Sequence, residues 1–181
     1  MRGYFGIGVE GVSKAANIGS VWRSAHAFGA SFVFTIAAAY AKSEGEKSDT
    51  SSATEHLPLH EYADLEAFRL PRECRLVGVE LTPDAIELPS FHHPRQAAYV
   101  LGPERGSLSP ALIARCDYLV RIPTAFCVNV GIAAALVMYD RLLTLKRFAP
   151  RPVATGGPEA PLPPSVFGPP IRRRGRTPPE S

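Results

Sequence analysis

The sequence predicts an α/β domain: a mostly parallel sheet with helices on both faces. Three observations at the start of the chain point to it. Tyr4 to Val9 is short and apolar enough for a buried strand, and the next segment keeps apolar residues at helical spacing. Ser31 to Ala37 is then rich in Val, Phe, Thr and Ile with no polar break, as in a parallel strand covered on both sides. This β-α-β opening continues as an alternation of strands and helices along the chain.

The helix of that opening has Asn17 as its expected N-cap and Ile18, Val21, Trp22, Ala25 and Phe28 on one face, with Gly29 as its stop. Ala41 to Glu55 is polar and of low complexity, so an exposed loop is expected there. Tyr62 to Phe68 reads as a short helix. Three more strands are expected at Arg75 to Glu80, Ala97 to Leu101 and Tyr118 to Ile122, with a short helix near Pro110 to Arg115 between the last two. A long helix over about Asn129 to Arg147 closes the body, with Arg141, Lys146 and Arg147 suited to the negative end of its dipole. From Phe148 onward the chain holds ten of its 18 prolines, and this composition does not favour a packed element. The expected organisation is a domain over residues 1–147 and a flexible Pro/Arg-rich tail over 148–181.

At 181 residues, 45% hydrophobic and 20% charged, the chain has material for one sizeable core. Its net charge of +3 comes from residues 148–181, where five Arg face two Glu; residues 1–147 balance at 15 basic and 15 acidic. A neutral body argues against gripping nucleic acid through a broad basic field and leaves a shaped, local site open. Cys74, Cys116 and Cys127 form no CxxC pair, so neither a disulfide framework nor a zinc site is expected, and a reducing compartment fits. Phe126 to Tyr139 is too short to cross a bilayer. Ala27 to Ala41 has a long, glycine-broken flank containing Glu10, unlike a signal peptide. A cytoplasmic protein with no membrane partner is the expectation.

Gly6, Gly8 and Gly11 match a dinucleotide-binding GxGxxG, but here the pattern lies on the strand itself and not between strand and helix. His92 and His93 lack further ligands at suitable spacing and read as surface histidines, so no metal is expected. Arg172, Arg173 and Arg174 are either a recognition arm for protein or RNA or part of a solvated tail. More informative are three segments that set polar groups beside strand ends or helix starts, where crevices of parallel sheets form. They are Asn17 to Arg23, Leu101 to Leu108, and Arg121 to Val130. Alone they indicate a pocket, and each also has a plain reading as a cap, a turn or a surface ion pair.

In this order the three segments resemble the motifs of the SpoU (TrmH-like) branch of the SPOUT RNA methyltransferases, over about Tyr4 to Leu143. The first motif has Asn17, Gly19, Arg23, Phe28 and Gly29 in place. The second is matched by Leu101-Gly102-Pro103-Glu104, although its later glycine falls at Gly106, with Ser107 in the usual place. The third reads Cys127-Val128-Asn129-Val130-Gly131, with Cys127 and Gly131 where the family has serines and a loop after Pro123 about three residues shorter.

The resemblance implies a C-terminal trefoil knot, a homodimer, and S-adenosyl-L-methionine as cofactor. Leu101, Gly102, Gly106, Ile122, Cys127 and Val128 would hold that cofactor, and no metal would take part. It implies methyl transfer to a ribose 2′-hydroxyl of tRNA or rRNA; the lack of a further domain ahead of the first strand favours tRNA of the two. Arg23 would act catalytically, helped by Asn17, Glu104 and Asn129. A non-catalytic RNA-binding or assembly module on the same fold is the alternative, and methylation of a base is a third reading.

Overall fold

The computed structural model describes residues 3–38, 53–103, 106–146, 148, 152 and 155–157. The chain divides into two units, Met1–Lys146 and Arg147–Ser181, and every strand and helix among the described residues belongs to the first. Glu104, Arg172, Arg173, Arg174 and most of the Ala41 to Glu55 segment lie outside the described residues.

The elements in chain order are β1 (Tyr4–Glu10), α1 (Ala15–Phe28), β2 (Phe32–Ile36), α2 (Ala53–His56), β3 (Leu59–Tyr62), β4 (Arg75–Val79), β5 (Ile86–Glu87), β6 (Gln96–Leu101), α3 (Pro110–Ile113), β7 (Tyr118–Arg121) and α4 (Val130–Leu145). A single 3-10 turn, Leu88–Ser90, follows β5. All seven strands pair in parallel in the order β3-β2-β1-β6-β4-β7-β5. The fold class is the one the sequence predicts.

Alternation along the strands sorts the core into two layers. Phe5, Ile7 and Val9 of β1 with Ala97, Tyr99 and Leu101 of β6 face α1 and α4. Phe34 of β2 and Ala98 and Val100 of β6 face the other way, against Phe68, Leu108 and Leu112. That second face is covered by the one-turn α3 and an irregular segment around Phe68, so both long helices lie on one side. Gly6 and Gly8 pair in register with Phe32 and Phe34, and a Cβ on either glycine would collide with those rings. The GxG spacing thus makes room for two neighbouring phenylalanines, and it lies within strand β1 and not between a strand and a helix.

Several local expectations are corrected. Helix α1 starts two residues before Asn17, after an extended Lys14 that gives no side-chain cap; Asn17 is inside the first turn and its amide is used elsewhere. Its end is as expected: Gly29 sits at φ 74°, and the Gly29 and Ala30 N–H groups donate to the His26 and Ala25 carbonyls. Tyr62 to Phe68 is not a helix. Leu59–Tyr62 instead forms edge strand β3 beside β2, and the turn after it is closed by the Ala67 N–H donating to Asp64. A one-turn helix, α2, occupies the end of the expected polar loop. Arg141 does not serve the dipole of α4. It is buried and donates to the Pro94 and Arg95 carbonyls and the Tyr99 hydroxyl, with its guanidinium over the Phe5 ring. His93 is likewise buried, not a surface histidine.

Candidate functional site

Because the sheet is parallel, β1, β4, β6 and β7 all end at one edge, and their following loops meet there. A cleft opens at that edge, lined by Val79, Glu80 and Leu81 at the end of β4, by Leu101, Gly102, Pro103 and Gly106 at the end of β6, and by Ile122, Thr124, Cys127 and Val128 after β7. Val130 and Ala133 of α4 complete the wall. Its empty space, solvent at the mouth included, is about 780 Å³. All six residues expected to hold a cofactor, Leu101, Gly102, Gly106, Ile122, Cys127 and Val128, lie on this wall.

Two carboxylates that sequence reasoning passed over fix the loop after β6. Glu10, at the end of β1, accepts from the Ser109 N–H (2.7 Å) and the Ser109 hydroxyl (2.6 Å). Glu80, just past β4, accepts from the Leu108 N–H (2.7 Å) and from its neighbour Leu81 (3.0 Å). Ser109 in turn caps α3 by accepting from the Leu112 N–H. The signal in the sequence was an acid at each strand's carboxyl end. Gly102 sits tightly under this loop, since a Cβ there would lie 3.0 Å from the Leu108 nitrogen and 3.2 Å from the Ser107 carbonyl carbon.

The loop after β7 is tied by Thr124, whose N–H donates to the Ile122 carbonyl (2.8 Å) and whose hydroxyl donates to Phe126 O (2.9 Å). It leaves the Phe126 side chain 76% exposed. Asn129 performs two tasks. Its Oδ1 caps α4 by accepting from the Gly131 N–H (2.8 Å), and its Nδ2 donates to Asn17 Oδ1 (3.0 Å). The first and third motifs are therefore joined directly. Gly131 is where the two helices touch, because a Cβ there would lie 2.8 Å from Ser20 Cβ. Arg23 is exposed on α1 and is not part of the cleft wall. No group of three or more His, Cys, Asp or Glu among the described residues is placed to hold a metal.

A profile of the SpoU rRNA Methylase family matches residues 5–139. The chain belongs to that family. The AdoMet-bound rRNA methyltransferase of Sinorhizobium meliloti superposes with a TM-score of 0.70 at 19% identity, over 81% of this chain and 59% of that one. The SpoU methyltransferase AviRb of Streptomyces viridochromogenes, in complex with AdoMet, gives 0.67 at 26%, over 79% and 61%. A mouse (Mus musculus) relative, tRNA (guanosine(18)-2′-O)-methyltransferase TARBP1, is 26% identical over 138 residues, 71% of this chain and 9% of that protein. The chain thus spans a small part of that curated relative and about three fifths of the two solved structures. The SpoU-type fold, shared with these structures, implies the C-terminal knot.

Proposed function

We propose that this SpoU-family chain is an S-adenosyl-L-methionine-dependent RNA methyltransferase that modifies a ribose 2′-hydroxyl of tRNA or rRNA, as a homodimer in the cytoplasm. One observation carries the reading: the six residues matched to the family's cofactor positions converge on one cleft at the carboxyl edge of the sheet.

The wall fits an adenosyl group. It is apolar at Leu101, Ile122, Val128 and Val130, it offers main-chain donors and acceptors at strand ends, and Gly102 lets the loop after β6 close tightly over its own strand end. When bound, the cofactor supplies a methyl group on a positively charged sulfur, which leaves as a neutral thioether. The main chain at Leu101, Gly102 and Ile122 would hold the adenine. Gly106, Cys127 and Val128 would close the pocket. Asn17 and Asn129 hold α1 against the loop after β7, which fixes where Arg23 stands. A guanidinium stays protonated and so does not serve as a base. Arg23 would instead orient the RNA phosphate and the reacting hydroxyl, whose proton is lost to water as the bond forms. Glu104 would assist Arg23, as the family motif implies, and the exposed Phe126 suits stacking on an unpaired base.

Nucleoside mass spectrometry of RNA from cells lacking the protein tests this. One 2′-O-methylnucleoside should vanish, return with the wild-type chain, and stay absent with Gly102→Val, whose side chain would displace the Leu108 backbone. An unchanged set of nucleosides overturns the proposal, and loss of a base-methylated nucleoside would move the chemistry to the base.

A further inference from the structure

Glu80 is the only carboxylate on the cleft wall among the described residues; around it stand apolar side chains, glycines, Pro103, Thr124 and Cys127. It follows β4 directly, and β4 lies between β6 and β7, the two strands whose loops form the rest of the wall. Glu80 is half-buried in this wall, and a carboxylate partly withdrawn from water is held there by hydrogen bonds. Glu80 has one such bond on each oxygen, to Leu108 and Leu81. An ionised carboxylate offers about four lone-pair positions, so each oxygen keeps one.

Clamping the loop does not account for this placement. Glu10 already holds the next residue, Ser109, by two short bonds from outside the cleft. We infer that Glu80 receives the vicinal hydroxyls of a ribose on its two remaining lone pairs, and so recognises the sugar of the nucleoside cofactor. This rests on the cofactor reading above. A diol matches a carboxylate whose two oxygens each have one acceptor position left. An acid at the carboxyl end of a parallel strand takes ribose hydroxyls in other α/β sites as well. The sulfonium is the weaker match. A carboxylate beside it would stabilise the charged ground state more than the transition state, in which that charge is fading, and would slow the transfer.

Calorimetric titration of the full chain with S-adenosylhomocysteine, its 2′-deoxy counterpart and S-adenosylmethionine tests the inference. Wild type should prefer the ribose ligand over the deoxy one by about tenfold or more, as for a hydrogen bond to a charged group. In Glu80→Gln that preference should shrink toward none, while the two ribose ligands lose affinity by the same factor. Glu80→Asp, which keeps the charge but withdraws it by one methylene, should also lose the preference and serves if the first variant does not fold. Undiminished preference in a folded variant, no preference in wild type, or a loss confined to S-adenosylmethionine would each overturn the inference, the last by placing Glu80 at the sulfonium. Failure of wild type to bind any of the three ligands would instead overturn the cofactor reading itself.

Discussion

Arg23 is exposed on α1, outside the cleft wall, and this separates two roles that the motif alone leaves merged. A residue that touches the cofactor alters its affinity, whereas one that meets only the RNA and the reacting hydroxyl alters the chemical step. Arg23→Ala should leave the Kd for S-adenosylmethionine unchanged and lower kcat by roughly 10²–10³-fold, the cost of losing one preorganised donor. Arg23→Lys should also be poor, because an ammonium lacks the planar fork. Single-turnover methyl transfer beside calorimetry checks both, and equal loss of affinity and rate would make Arg23 a structural residue. The departures from the family motifs divide in the same way. Gly131 is accounted for by Ser20 packing against it, which a one-dimensional motif does not show. Cys127 stands on the wall itself.

Long periodic elements were legible in the sequence, as was the short helix α3 at Pro110–Ile113, whereas the short edge strands β3 and β5 were not. β1, α1, β2, β4, β6, β7 and α4 stand where apolar period puts them, α1 starting two residues ahead of its expected cap, and the cleft follows because a parallel sheet brings its carboxyl ends together. Strand β3 was missed because Leu59–Tyr62 is half polar and exists by pairing with β2. His93 was misread because nothing near it in sequence reveals that Tyr99 and Asp140 close around it. Its Nδ1 lies 2.6 Å from the Tyr99 hydroxyl and its Nε2 lies 2.9 Å from Asp140. Arg141 already donates to that hydroxyl, so Tyr99 gives its own proton to Nδ1 and a neutral His93 gives its Nε2–H to Asp140. Burial is the main cause that lowers the His93 pKa, with Arg141 and His92 adding to it and Asp140 opposing. Burial also raises the Tyr99 phenol to about 12. A folded-state pKa below the unfolded value of about 6.5 means the unfolded chain binds the extra proton first. Stability from this group is therefore complete above about pH 6.5 and is lost as pH falls toward the lowered folded value. Thermal denaturation of wild type should show Tm falling between pH 7 and 5, by more than in His93→Gln; equal slopes would remove His93 as the cause.

At the scale of the whole molecule, α4 is the element with two apolar sides. Val130, Ala133, Ala134, Val137 and Met138 are buried within the domain, so they are spent on its own core and do not serve a partner. What remains outside is a narrower stripe: Ile132 (55% exposed), Leu136 (39%) and Tyr139 (47%). Spaced four and three residues apart, they share one face of the helix. A two-fold dimer covers such a stripe with its own copy, so one substitution counts twice at the interface. Leu136→Arg should therefore separate the subunits, since it sets two like charges in an apolar contact, while costing the folded domain little because the residue is already partly in water. Light scattering at micromolar concentration should give about twice 19.5 kDa for wild type and the single-chain mass for the variant, with Tm nearly unchanged when measured at low concentration. A wild-type particle of 19.5 kDa would refute the dimer, and an unchanged dimer in the variant would move the contact off α4. The same helix presents Val130 and Ala133 to the cleft, so the separated variant should also bind the cofactor more weakly, because a helix held on one side only sets that wall less firmly.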